Sequence, residues 1–471
     1  MTTNRTHRCA DLSAQIEALD NGTATSVELV GDALDRINAS QATLNAFRVV
    51  RDEAARAEAE TADKRRAAGE QLPLLGVPIA MKDDMDFEGL PTAFGTMCER
   101  EPAKTDAEMV RRLRDAGAVI VGKTHSSELG QWPLTGGPAL GHTHSAWKQG
   151  FTPGGSSGGS SAAVAAGLVP AAMGSDGAGS VRIPAAWSNL VGIKPQRGRI
   201  PTTPEPEMFN GLTVLGPLAR TVKDAALLLD VVSGPHAEDI HQPSAITVSD
   251  AVGRDPGRLR IGLSFEIPFT ATPTSLDPQV REATEAMAQT LTELGHDVIP
   301  HEPGYGKLFG LNFLARSMPA LEEWRQRLPD PSRLEKRTLD NARLGRWLGG
   351  MPLRAARKAE SRLQRRFDKV FDQVDILLAP TTATPPPKVD AIDHTGGWET
   401  DKIVTGACPY TWPWNVLGWP SVNVPAGFSR DGLPLGVQLM GNANTEPLLI
   451  SVAAQLESAL HWERHEPDPW W

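Results

Sequence analysis

Apolar residues recur at helical spacing from Asp11 to about Ile37, and Thr25 with Glu28 forms a capping-box signature ahead of Leu29, Ala33 and Ile37. Leu74 to Met81 has a different pattern. It is a short apolar run with Val77, Ile79 and Met81 on one alternating face, which predicts a buried strand ending near Lys82. Thr105 and Glu108 make a second capping box for a helix through Leu113, and Gly117 closes it before the strand-like Ala118 to Val121. Further along, a strand at Leu259 to Phe265, a helix at Gln279 to Leu294 and a strand at Asp297 to Ile299 give a β-α-β pattern. Val374 to Leu378 adds a buried strand. Ser421 to Val424 and Leu435 to Met440 are two strands joined by a turn around Asp431 and Gly432, with a helix from Glu446. The chain is therefore α/β. Pro385 to Pro387 and the Gly396 to Gly397 step predict loops rather than a domain linker, because strand-like segments resume on both sides. One large domain over 1–471 is expected, with a mostly helical stretch at about 305–371 laid over it.

Composition narrows the function classes. Apolar residues make up 40% of the 471 positions and charged ones 22%, the balance of a globular protein with a packed core. A formal charge of −10 repels nucleic acid and anionic membranes, so either partner requires a local basic patch. Trp324 to Val370 holds one, including Arg354, Arg357, Lys358, Arg362, Arg365 and Arg366. Glu335, Asp340, Glu360 and Asp368 are interleaved with it, and stacking aromatics are not, so it reads as a solvated helix face. Cys9, Cys98 and Cys408 are widely separated and predict neither a disulfide scaffold nor a metal site. No window approaches the roughly 18 apolar residues of a membrane span, and a cytoplasmic location is expected without nucleic-acid or membrane partners.

The most informative stretch runs from Thr152 to Arg199. Its glycine and serine run leads directly into the helix-prone Ala162 to Ala166, so it predicts a loop feeding a helix amino terminus, where backbone N–H groups face developing negative charge. Gly177-Ala178-Gly179 begins a dinucleotide fingerprint, but Arg182 stands where the third glycine belongs. Gly155 to Gly159 resembles a nucleophile elbow, yet Phe151-Thr152-Pro153 is a poor preceding strand and no later histidine is distinguished by its context. Asp84, Asp86 and Glu88 mimic a calcium loop whose closing glutamate is replaced by Gly95. His125, His142 and His144 lack a further metal-binding partner in sequence. No cofactor and no metal are expected.

Gly154-Gly155-Ser156-Ser157-Gly158-Gly159-Ser160, then Gly174-Ser175-Asp176-Gly177-Ala178-Gly179-Ser180-Val181-Arg182-Ile183-Pro184-Ala185-Ala186 and Gly192-Ile193-Lys194-Pro195, closely resemble the amidase signature. The likeness extends to Gly76 through Asp83 upstream, and to Asn415 through Pro420 and Gly432 through Leu439 downstream. It implies a central mixed β-sheet covered by helices on both faces, and amide hydrolysis through an acyl-enzyme. Carried over, it makes Ser180 the nucleophile, Ser156 the bridging serine, on a peptide that is cis in similar enzymes, and Lys82 the base. The chemistry needs those types. A serine hydroxyl must lose its proton as it attacks, and a lysine accepts one only when neutral. Gly177, Ala178, Gly179 and Ser180 become the oxyanion hole. Ala178 departs from the usual glycine there, and Gly177 from the commoner threonine.

Asp176 and Arg182 brace the catalytic loop in similar proteins. Gly130, Gln131 and Trp132 align with positions lining the acyl pocket, and Trp187 stands where phenylalanine is common. With Trp412, Trp414 and Trp419 also expected near the site, the resemblance favours a bulky apolar or aryl small-molecule amide, with ester or carbamate substrates alongside. It also leaves open a homodimer, and an alternative role as the ammonia-releasing subunit of a glutamine-dependent amidotransferase. A catalytically silent scaffold is disfavoured by the intact Lys82, Ser156 and Ser180.

Overall fold

Side-chain alternation around Lys82 divides the molecule into layers. Val77, Ile79 and Met81 enter one apolar cluster, while Ala80 between them enters another on the opposite side. The computed structural model describes residues 8–98, 100–270 and 272–471. Its strands are β1 (Phe47–Val50), β2 (Pro78–Lys82), β3 (Val119–Thr124), β4 (Gly136–Gly137), β5 (Gly141–His142), β6 (Ala171–Asp176), β7 (Val191–Lys194), β8 (Val214–Ala219), β9 (Arg260–Leu263), β10 (Asp297–Pro300), β11 (Ile376–Pro380), β12 (Ser421–Phe428) and β13 (Pro434–Met440). Among the described residues, 11 of them form one sheet in the order β1-β3-β2-β6-β8-β7-β12-β13-β11-β9-β10. The sheet is mixed. β2 pairs in parallel with β3 and β6, β9 does so with β10 and β11, and the remaining pairs are antiparallel.

Both faces are covered, as the resemblance implied. Met109 and Leu113, Leu228 and Leu229, Met287 and Leu291, and Leu449 and Ile450 bring four helices onto one face. Val30, Leu34 and Ile37, Ala55 and Ala59, and Ala162 and Ala163 bring three others onto the opposite face. The 305–371 stretch forms the helices Lys307–Gln326, Lys336–Leu348 and Met351–Asp368. Phe309, Leu363 and Phe367 from it pack with Trp412 and Trp414.

The Thr25 and Glu28 box forms as expected: Thr25 Oγ1 accepts from Glu28 N–H at 3.2 Å and Glu28 Oε2 accepts from Thr25 N–H at 2.8 Å. The Thr105 and Glu108 box does not. Ala107 is the N-cap of Glu108–Asp115, and the Glu108 carboxylate is taken by Arg111 at 2.7 Å and Arg112 at 2.8 Å within its own helix. β2 starts only at Pro78, because Gly76 at φ +84 turns the chain first. β3 runs past Val121 to Thr124, since Lys123 is fully buried 2.7 Å from Asp83. No helix of the described residues is long and apolar enough to cross a membrane.

Candidate active site

Parallel pairing places Met81 of β2 opposite Met173 of β6, so the ends of both strands emerge side by side. Lys82 is fully buried there. Its Nζ donates to Ser156 Oγ at 2.7 Å and to Ser175 Oγ at 2.7 Å, and lies 3.0 Å from Asp84 Oδ2. Ser175 Oγ donates to the same Asp84 oxygen at 2.5 Å. Asp84 and Ser175 were not expected here. Asp84 resembled a calcium-loop residue, and Ser175 lay unremarked inside the signature.

Ser156 precedes the helix Gly158–Ala165, and its peptide bond to Gly155 is cis. Ser157 ties this loop to the next: its N–H donates to Ser180 O at 3.2 Å and its Oγ to Ser175 O at 3.2 Å. Ser156 and Ser180 consequently line one cavity. Behind Ser180, Arg182 bonds both Asp176 oxygens at 3.0 Å, Gln438 Oε1 at 2.9 Å and Asn415 Oδ1 at 2.7 Å. Burial alone raises the Asp176 carboxyl, but the Arg182 charge and hydrogen bonds outweigh it and hold the group well below the ordinary carboxylate range. Asn415 Nδ2 also donates to Asp176 Oδ1 at 2.8 Å. The downstream signature segments thus fix the bend that carries Ser180.

Gly179 N–H is committed to Asp176 Oδ1 at 2.7 Å, which leaves those of Gly177, Ala178 and Ser180 without a protein acceptor among the described residues. Three of the four expected oxyanion donors are free. Ala178 fits, its carbonyl accepting from Thr411 Oγ1 at 2.5 Å. Gly179 is the demanding position. At φ +119, a Cβ there would collide with Thr411 Oγ1 and stand 2.8 Å from Ile183 Cδ1. Gly179→Ala is expected to cost about 1 to 3 kcal/mol of stability and at least tenfold in kcat, read by thermal denaturation and steady-state kinetics. Wild-type values in both would contradict the constraint.

The cavity measures about 240 Å³, more than the ~150 Å³ that holds a benzene ring. Gly130, Gln131 and Trp132 line it, together with Phe94, Met208, Phe209, Phe313 and Trp412. Among the described residues, the Gln131 amide atoms, Ser317 Oγ and Thr272 Oγ1 are buried in its lining without protein partners, and so offer hydrogen bonds to an occupant. Trp187 does not line it. Fully buried, it packs against Ile183 and Cys408, which do, and donates Nε1 to Thr382 Oγ1 at 3.2 Å and Thr384 O at 3.1 Å. Ile183, one helical turn nearer Ser180, stands between it and the cavity. Trp414 and Trp419 belong to the aromatic cluster beyond the wall. The histidines do not converge: His142 pairs with Asp393 at 3.0 Å, and His144 Nδ1 accepts from Gly150 N–H at 3.1 Å.

The family model described as Amidase matches residues 28–450. The putative amidase AmiA2 of Mycobacterium tuberculosis (strain ATCC 25618 / H37Rv) is 57% identical over 464 residues, covering 98% of this chain and 96% of the relative. Among solved structures, 6-aminohexanoate cyclic dimer hydrolase matches with a TM-score of 0.89 at 30% identity, covering 98% of each chain. A bacterial aryl acylamidase of the amidase signature family matches with a TM-score of 0.85 at 25% identity, covering 97% of each. Sequence, sheet and signature loops agree: the chain belongs to the amidase signature family, and is a hydrolase of carbon–nitrogen bonds.

Proposed function

We propose that this enzyme hydrolyses bulky apolar or aryl amides through Ser180, with Ser156 and Lys82 carrying the proton. The observation that supports it most is the 2.7 Å hydrogen bond between buried Lys82 Nζ and Ser156 Oγ at the wall of a cavity that Ser180 also lines. Ser180 Oγ attacks the carbonyl carbon as its proton passes to Ser156 Oγ, and the Ser156 proton passes to Lys82 in its unprotonated form, the reactive fraction of a side chain that otherwise pairs with Asp84. Asp84 and Ser175 then stabilise the ammonium that results. The N–H groups of Gly177, Ala178 and Ser180 bind the oxyanion. Return of the proton through Ser156 to the leaving nitrogen breaks the C–N bond and leaves an acyl-Ser180. Water, deprotonated by the same pair, releases the acid. Esters and carbamates pass through the same tetrahedral centre and belong to the proposed substrate range.

An amidotransferase subunit would instead hold glutamine, a small polar ligand. The aromatic wall of Phe94, Phe209, Phe313 and Trp412 favours the apolar amide. Hydrolysis of 4-nitroacetanilide by the purified chain, without a second subunit, is the experiment that tests this. No turnover of any anilide by the chain alone, with ammonia release from glutamine on adding a partner, would reverse the assignment.

Enclosing a phenyl ring contributes roughly 2 to 3 kcal/mol, so acetanilide is expected to exceed acetamide in kcat/KM by about 30-fold to 150-fold. Phe313→Ala should lower the value for acetanilide selectively, since Phe313 lines the cavity. Trp187→Ala should act differently. Its ring is fully buried behind the wall, so the main effect is a loss of about 3 to 5 kcal/mol of stability. Equal effects of Phe313→Ala on both substrates would count against the apolar pocket.

A further inference from the structure

One charged side chain of the cavity is unused by the hydrolytic steps. The helix Gly397–Ala407 and its C-cap contribute Trp398, Asp401, Val404, Thr405 and Cys408 to the lining, with Asp401 one turn from Trp398 on the same face. Asp401 accepts a hydrogen bond from Asn341 Nδ2 at 3.1 Å. Asn341 carries no charge. Among the described residues, no ion pair engages Asp401. Lys336, on the helix that carries Asn341, is paired with Asp340 at 2.7 Å, Lys82 is paired with Asp84 at 3.0 Å, and Lys402 is exposed. Burial pushes the Asp401 carboxyl up to about 6 against the Asn341 hydrogen bond, which still leaves it ionised at neutral pH. A carboxylate held away from water without a cation is costly, and a ligand cation relieves that cost. Trp398, 68% exposed at the same cavity, adds an indole, the aromatic side chain that best attracts a cation to its face.

We propose that Asp401 and Trp398 form an ammonium subsite, so that the enzyme takes amides whose apolar body ends in a protonated primary amine. This rests on the amide-hydrolase reading above and adds a substrate class to it. The apolar wall, including Phe313 and Leu314, holds the methylene chain, and the ammonium donates to the Asp401 oxygens while facing the indole. Asn341 keeps the carboxylate oriented. A purely structural tie between the helices Lys336–Leu348 and Gly397–Ala407 would need an acceptor at 401 but no charge, and asparagine supplies an acceptor. Asp401→Asn separates the two roles.

The test uses the purified full chain and two matched substrate pairs. 7-Aminoheptanoyl and octanoyl 4-nitroanilide exchange ammonium for methyl on the acyl side, and N-(6-aminohexyl)acetamide and N-heptylacetamide do so on the leaving side. In at least one pair, the ammonium-to-methyl ratio of kcat/KM should fall roughly tenfold or more in Asp401→Asn. The wild-type ratio should also fall as pH drops through 6, where Asp401 takes up its proton while the alkylammonium, with a pKa of about 10, stays charged. Ratios that Asp401→Asn leaves unchanged in both pairs overturn the subsite. Calorimetric titration with hexylammonium needs no turnover. Binding that Asp401→Asn weakens tenfold supports the subsite, and binding that is absent from the wild type or equal in the two proteins overturns it. Hydrolysis of none of the four substrates, together with Asp401-dependent hexylammonium binding, would mean that the proposed bulky-amide reading fails and the subsite stands.

Discussion

Ser180→Ala, if Ser180 is the nucleophile proposed above, is expected to lose at least about 10⁴-fold in kcat towards an anilide while thermal stability changes by less than about 1 kcal/mol. The size follows from what is removed. In the proposed mechanism no acyl-enzyme forms without Ser180 Oγ, and the proposed oxyanion donors and the cavity can then assist only direct attack by water. The fold should hold because Ser180 contributes its backbone to the architecture: its carbonyl accepts from Ser157 N–H at 3.2 Å, and alanine preserves that bond. Among the described residues, no other side chain depends on Ser180 Oγ for a hydrogen bond. Covalent labelling gives an independent check. A fluorophosphonate should modify wild-type Ser180 stoichiometrically, and equal labelling with unchanged kcat in Ser180→Ala would falsify the nucleophile assignment.

What the sequence made legible was the local part of this site. Alternation at Val77, Ile79 and Met81 marked β2 and placed Lys82 at its end, because a period of two depends only on neighbours along the chain. The signature loops carried Ser156 and Ser180 for a different reason: their residue types and order match a family. Partners that arrive from other strands were not readable. Ser175 meets Lys82 because β2 and β6 run parallel in a particular register, which neither residue states, and Asp84 meets it because the chain turns just past the end of β2, where alternation no longer applies. Nor does nearness in sequence reveal side-chain direction. Trp187 lies seven positions after Ser180 but closes the layer behind Ile183, whereas Phe94, Phe313 and Asp401, far away along the chain, reach the cavity. Thr105 shows the same limit on a smaller scale, since its expected cap partner Glu108 was claimed by two arginines of its own helix. Local pattern specifies elements, and competition among charges decides contacts.

Lys82→Arg should reduce kcat nearly as far as Lys82→Ala, by about 10³-fold or more, although the two variants differ in stability. A base must be able to become neutral, and guanidinium does not give up its proton in a protein. Stability should separate them through Asp84, whose side chain is only 8% exposed and takes its cation from Lys82. Alanine strands that buried carboxylate, a change that typically costs about 3 to 5 kcal/mol. Arginine keeps a positive charge beside it, so its penalty comes from fitting a larger, planar head where Nζ now bonds Ser156 and Ser175 at 2.7 Å each. The expected pattern is a stability order of wild type, then Lys82→Arg, then Lys82→Ala, with both variants nearly inactive. Denaturant titration and anilide kinetics on the same preparations measure the two axes. Activity in Lys82→Arg above about a tenth of wild type would show that charge at this position suffices, and would remove the general-base role from Lys82.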